Sequence, residues 1–293
     1  MDAMSSHRSE AIHEMAAALE RADASARVLG ARARAARDGA GPAAAFSALA
    51  AAGPDGLVPA VGTGGALAAR HLEQAALAAA AAGPVLPDDV VGALAHAATE
   101  ARAQSGGGNA LDPWGVAVAV RHEVAAVRGL AAHSMPRDDL WEIMRLGTFL
   151  PRAAWMSALL LACATVARDD PDSAASVWHA AARVGGTSGL IEGESDRVLP
   201  VLVGDSALPV SVSHAVTEIT SALFALSRRG MAEPGPLALA RATGARLGSP
   251  ATLALLSADP IRVISEVLDA IGAIAGTIRP RPAGAAGPRG VAA

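Results

Sequence analysis

The side chains able to do chemistry in this chain are histidine, the carboxylates and arginine, because the sequence holds no lysine, no tyrosine and one cysteine, Cys163. The lack of lysine removes Schiff-base and lysine general-base mechanisms. The lone cysteine excludes an intramolecular disulfide and a CxxC pattern, fits a reducing compartment, and reads as a small apolar core residue. His96 with Glu100 and His214 with Glu218 each stand at i, i+4, so each pair shares a helix face. Two such pairs could offer four metal ligands, but the same spacing describes an exposed pair worth about 0.2–0.5 kcal/mol, and no metal is assigned. Glu10 and His13 in "EAIHE" have E-x-x-H spacing, yet a ferritin-like site needs two such motifs and two further glutamates. His122 and His133 face the same way but lie ~16 Å apart along a helix axis, too far to share an ion. "GTGG" and "SGGGN" lack the strand and lysine of a phosphate loop and read as turns. Met135, Trp141, Trp155 and Met156 read as packing residues.

The elements that must position these groups are helices. Asp-Pro stands where an N-cap and first helical residue belong at Asp112-Pro113, Asp170-Pro171 and Asp259-Pro260. Gly147, Gly185 and Gly230 follow apolar helical patterns as left-handed C′ residues. Sustained strand-like alternation is missing. The punctuation predicts helices over 8–37, 43–52, 64–82, 88–104, 113–134, 137–146, 150–168, 171–183, 206–229, 236–247 and 260–277. "GPDGLVPAVGTGG" and "SGGGNALDP" are the connecting loops. The expected organisation is one all-α domain over 1–278 and a disordered Pro/Gly/Ala-rich tail over 279–293.

The 293 residues are enough to bury a sizeable core. With 52% hydrophobic against 18% charged residues and a mean hydropathy of +0.34, some surface is expected to be covered in a homo-oligomer. The formal charge of -4, with no basic run, argues against a nucleic-acid partner. The charge-free run from Ala153 to Ala167 falls short of the ~20 residues a bilayer-spanning helix needs, so it is expected to be a buried core helix rather than a membrane span. The N-terminal "MDAMSSHRSEAIHEM" has no apolar h-region, which makes the cytoplasm the expected location.

From Gly62 to Pro234 the order of several segments resembles the large helical domain of the MmgE/PrpD family, which includes 2-methylcitrate dehydratase and cis-aconitate decarboxylase. The segments are "GGALAARHLEQA", "GPVLPDDVVGALAHAATEA", "WGVAVAVRHEVAAVRGLA" with Glu123 and Val124, "GTFLPRAAWMSALLLACATVARDDPDSAASVWHAAARVGGTSGLIEG", and "HAVTEITSALFALSRRGMAEP". The resemblance implies that Gly147, Thr148, Phe149 and Pro151 form a turn beside an active site, with the uncharged run after it as core. It also implies proton abstraction beside a carboxylate, loss of water or carbon dioxide, and a symmetric homodimer. Several parts depart from that pattern. "RHLEQAA" replaces the Asp-rich turn, a lysine and a histidine of the family have no counterpart, and the chain ends near where the smaller α/β lid domain would follow.

Two functions are therefore expected. One is a divergent, cofactor-independent lyase, isomerase or cyclase acting on a small-molecule substrate in specialised metabolism. His71 and Glu73 would be its acid-base pair, Arg145 would bind an anionic group and Thr148 would orient it. The plainer reading, preferred to the catalytic one, places His71 and Glu73 on a solvated helix face. The other function is a non-catalytic helical dimerisation or partner protein that has lost the family's active site.

Overall fold

The computed structural model describes residues 3–39, 44–49, 64–106, 112–189 and 195–278. Among these residues every regular element is helical, so the all-α expectation holds. The α-helices are α1 (Ala3–Asp38), α2 (44–49), α3 (Gly64–Ala82), α4 (Asp88–Gly106), α5 (Pro113–Ser134), α6 (Asp139–Asp169), α7 (Ala174–Gly185), α8 (Ser195–Gly204), α9 (Val212–Arg228), α10 (Pro234–Leu247), α11 (Pro250–Ala258) and α12 (Pro260–Ile278). Most of the two glycine-rich loops and the whole of 279–293 lie outside the described residues.

Two apolar clusters make the core, and α1 belongs to both. Its N-terminal part sets Ile12, Met15, Leu19, Ala22 and Ala26 against α3, α4 and α5. Its C-terminal part sets Val28, Ala31 and Ala35 against α2, α6 and α7. Alanine and leucine, strong helix formers, carry α1 over 36 residues, ~54 Å, long enough to reach both clusters. The second cluster is centred on α6, with Met156, Leu159, Leu160 and Cys163 buried against α7, α9 and α12. Burial pushes the Cys163 thiol well above its ordinary range, in keeping with an inert core residue.

Helix α6 differs from expectation. It runs unbroken where the sequence predicts one helix ending at 146 and another starting at 150. Gly147 does not terminate it. A Cβ there would overlap the His13 carbonyl oxygen and sit 3.0 Å from Ala16 Cβ, so the glycine is where α1 and α6 cross backbone to backbone. Pro151 lies inside the helix, removing one backbone donor, and the packing of α6 on both sides overrides the local cost. The Gly147–Pro151 segment is thus helical rather than a turn. α6 is long and apolar enough to cross a membrane by length and composition, and 61% of its most apolar window is buried inside the fold.

Of the six expected caps, Asp112, Asp259 and Gly230 form and Asp170, Gly147 and Gly185 do not. Asp112 accepts from the Gly115 N–H at 2.7 Å, Asp259 accepts from the Arg262 N–H at 3.2 Å, and Gly230 is left-handed at φ 72°. Asp170 instead precedes a 3₁₀ turn, Pro171–Ser173, and makes no side-chain cap. The left-handed residue closing α7 is Gly186 at φ 73°, one position beyond the expected Gly185, whose missing side chain makes room for Leu202. α8 and α11 are additional to the expected elements, and α9 starts at Val212, capped by Ser211, rather than at 206.

Candidate functional site

One face of α1 carries charge where an amphipathic helix would carry core. Glu20, Asp23 and Arg27 fall at i, i+3 and i+7 among Leu19, Ala22 and Ala26, which points both carboxylates inward. Glu20 is 1% exposed and Asp23 4%. Unpaired, such burial would be costly. Arginines from two other helices meet them.

Arg152 of α6 forms a bidentate fork on Glu20, Nε donating to Oε1 at 2.9 Å and Nη2 to Oε2 at 2.6 Å. The Trp155 indole N–H adds a 3.3 Å bond to Oε1. From α5, Arg128 donates through Nη2 to Glu20 and through Nη1 to Asp23 at 3.5 Å, bridging the two carboxylates. Asp23 also accepts from Arg27 Nε at 2.9 Å, and Arg121 Nε of α5 approaches its other oxygen at 3.7 Å. Burial alone would raise both carboxyl groups. For Glu20 the attraction of Arg128 and Arg152 outweighs it, and for Asp23 that of Arg27, Arg128 and Arg121, so both are held below their ordinary range and ionised.

Beside this cluster lies a cleft of about 640 Å³ between α1, α5, the end of α7 and the turn that follows it. Arg27, Arg34, Arg121 and Arg183 line it, with one carboxylate, Asp38, and one imidazole, His179. Asp38 accepts a hydrogen bond from Arg183. Arg34 lies over the Trp114 ring, 5.9 Å from its centroid. Arg27 and Arg121 both address Asp23 through Nε, and among the described residues their Nη nitrogens have no hydrogen-bond partner. Arg121 loses some of its basicity to burial and to repulsion from Arg27, a sign that the two like charges are close. Two glycines shape the cleft. Gly30 lets α1 and α5 approach so closely that a Cβ would lie 3.1 Å from Ala117 Cβ, and a Cβ on Gly186 would lie 3.7 Å from Arg27 Nη1.

The residues singled out from the sequence sit elsewhere. His71 of α3 shares a 3.1 Å hydrogen bond with Gln74, and burial lowers its pKa. Glu73 accepts from Arg102 Nε of α4 at 2.8 Å. Arg145 is held between Glu142 at 2.6 Å and Glu218 of α9 at 2.7 Å, and Thr148 donates to the Met144 carbonyl at 3.1 Å. Arg145 and Thr148 thus share α6, while His71 and Glu73 share α3, and no ion pair or hydrogen bond among the described residues joins the two pairs. None of the four lines the cleft. His214 contacts the Ser206 carbonyl at 2.9 Å. Among the described residues no group of three or more His, Cys, Asp or Glu is placed to hold a metal ion.

Fold and site together define an all-helical protein built around a buried carboxylate–arginine cluster that opens onto a basic cleft. Residues 4–281 match the Alpha-E family, described as a predicted alpha-helical domain with a conserved ER motif, and the chain belongs to that family. No curated protein and no solved structure matches it. The chain has one Glu-Arg dipeptide, Glu20-Arg21, whose glutamate is the centre of the buried cluster and whose arginine pairs with Glu14. The family match spans nearly the whole chain and overturns the resemblance to MmgE/PrpD. That resemblance came from alanine-rich helices closed by glycines, a composition that unrelated helical proteins share.

Proposed function

We propose that the chain is a binding module for an anionic small molecule, taken up in the cleft between α1, α5 and α7. The observation that carries this reading is that Arg27 and Arg121 share the single carboxylate of Asp23 through their Nε edges, leaving their Nη edges beside the cleft without hydrogen-bond partners among the described residues. Guanidinium forks held this way are preorganised for an oxyanion, because the carboxylate behind them fixes their planes. Glu20 supports the arrangement from below by anchoring Arg128, which also reaches Asp23. A non-catalytic role has more support than acid-base catalysis by His71 and Glu73, since those side chains are engaged by Gln74 and Arg102 outside the cleft.

Calorimetric titration with sulfate tests the proposal. Saturable binding is expected in the wild type, weakened at least about tenfold by Arg121→Gln, because one charge-assisted hydrogen bond contributes about 1.5–3 kcal/mol. The Arg121 side chain is 45% exposed and Asp23 keeps Arg27 and Arg128, so the variant should remain folded, with at most a modest fall in melting temperature. Sulfate binding unchanged in Arg121→Gln would contradict the proposal.

A further inference from the structure

We infer that the anion this cleft takes is a phosphate monoester in its dianionic form, rather than a carboxylate. The inference rests on the anion-binding reading above and adds the ligand's chemical class.

Two independent features of the cleft select this group. The first is charge. Arg183 is matched by Asp38, and Arg27 and Arg121 together are matched by one carboxylate, Asp23, which Arg128 also contacts. Arg34 has the Trp114 ring as its neighbour, and no carboxylate among the described residues pairs with it. With Arg128, Arg152 and Glu20 behind them, six guanidiniums stand against three carboxylates among the described residues, an excess of positive charge that a dianion offsets further than a monocarboxylate does. The second is the number of donors. With both Nε edges directed at Asp23, the Nη groups of Arg27 and Arg121 offer two adjacent forks, more N–H donors than the two oxygens of one carboxylate can accept in good geometry. A phosphate monoester brings three strong acceptor oxygens and a charge of about -1.5 to -2 near neutrality. The ester substituent would extend past Trp114, Val118 and Val184 along the stripe of α1 that runs from Arg27 through Gly30, Ala31 and Arg34 to Asp38, ~16 Å of groove.

The charge state of the ligand supplies the test, because a monoester gains its second negative charge with a pKa of about 6 whereas sulfate is a dianion throughout. The charged and titratable groups lining the cleft among the described residues are Arg27, Arg34 and Asp38 of α1, Arg121 of α5, and His179 and Arg183 of α7, with Glu20, Asp23 and Arg128 behind. Histidine is the type among them that changes charge in this range, and sulfate reads that protein contribution separately from the ligand's.

Methyl phosphate, sulfate, acetate and malonate are titrated into the intact chain at pH 5 and pH 8 at constant ionic strength. Methyl phosphate is expected to match sulfate within a few-fold at pH 8 and to become about tenfold weaker relative to sulfate at pH 5. Acetate and malonate are expected to bind at least about tenfold more weakly than methyl phosphate at pH 8. A methyl phosphate to sulfate ratio that does not change with pH, or either carboxylate binding as tightly as methyl phosphate, overturns the inference and leaves the anion site standing. Failure of all four anions to bind overturns both.

Discussion

Glu20 gathers Arg128 of α5 and Arg152 of α6 onto one buried carboxylate of α1. Its partners Arg128 and Arg152 are 108 and 132 positions away, so the stretch "LERADASAR" reads locally as a polar strip on an alanine helix. The available signal is phase. Glu20 and Asp23 fall on the same face as Leu19, Ala22 and Ala26, and charged residues in register with core residues imply buried partners. The histidine–glutamate pairs attracted attention instead because their spacing is visible within one helix, yet Glu218 is bound by Arg145. Replacing Glu20 by alanine leaves Arg152 without a carboxylate and Arg128 with Asp23 alone, a change expected to cost about 3–5 kcal/mol in denaturant unfolding. Because the pKa of Glu20 is lowered in the fold, its contribution is fully present above the ordinary carboxylate range near 4.3 and is lost as pH falls below it. The wild type should therefore lose more stability than Glu20→Ala between pH 6 and pH 3. A parallel pH dependence in the two proteins would remove Glu20 from that role.

At the scale of elements, legibility followed local chemistry. α3 and α5 begin and end as expected, and Asp112 and Gly230 act as the caps their types suggest. What could not be read was a glycine required by a neighbouring helix. Gly147 looks like a stop signal and is instead a contact point, since the backbone of α1 occupies the space of its side chain. α8 was obscured by Pro200 within it, and α11 by its brevity at 9 residues. These two kinds of glycine separate by experiment. Gly129 is helical in α5 with nothing within 4 Å of an added Cβ, so Gly129→Ala should stabilise by roughly 0.5–1 kcal/mol through helix propensity. Gly147→Ala carries the same propensity gain but forces α1 and α6 apart, and should destabilise by about 1–3 kcal/mol. Thermal melts giving both changes the same sign would refute the close crossing.

For the whole molecule, the all-α architecture was legible from caps and periodicity, while the resemblance to MmgE/PrpD was not a reliable guide to kinship. Alanine-rich helices carry little information about which of them pack together, and the basic cleft depends on α1, α5 and α7 meeting at positions far apart in the chain. α1 joins the two core clusters and also bears the carboxylates that orient the cleft's arginines, so packing and binding share one element. The most direct measurement is the anomalous diffraction of crystals soaked in selenate, a tetrahedral dianion. A selenium peak is expected in the cleft within hydrogen-bonding reach of the Nη atoms of Arg27 and Arg121, absent from Arg121→Gln crystals soaked in parallel. A cleft without selenium, or a peak there that persists in Arg121→Gln, would contradict the anion-binding reading.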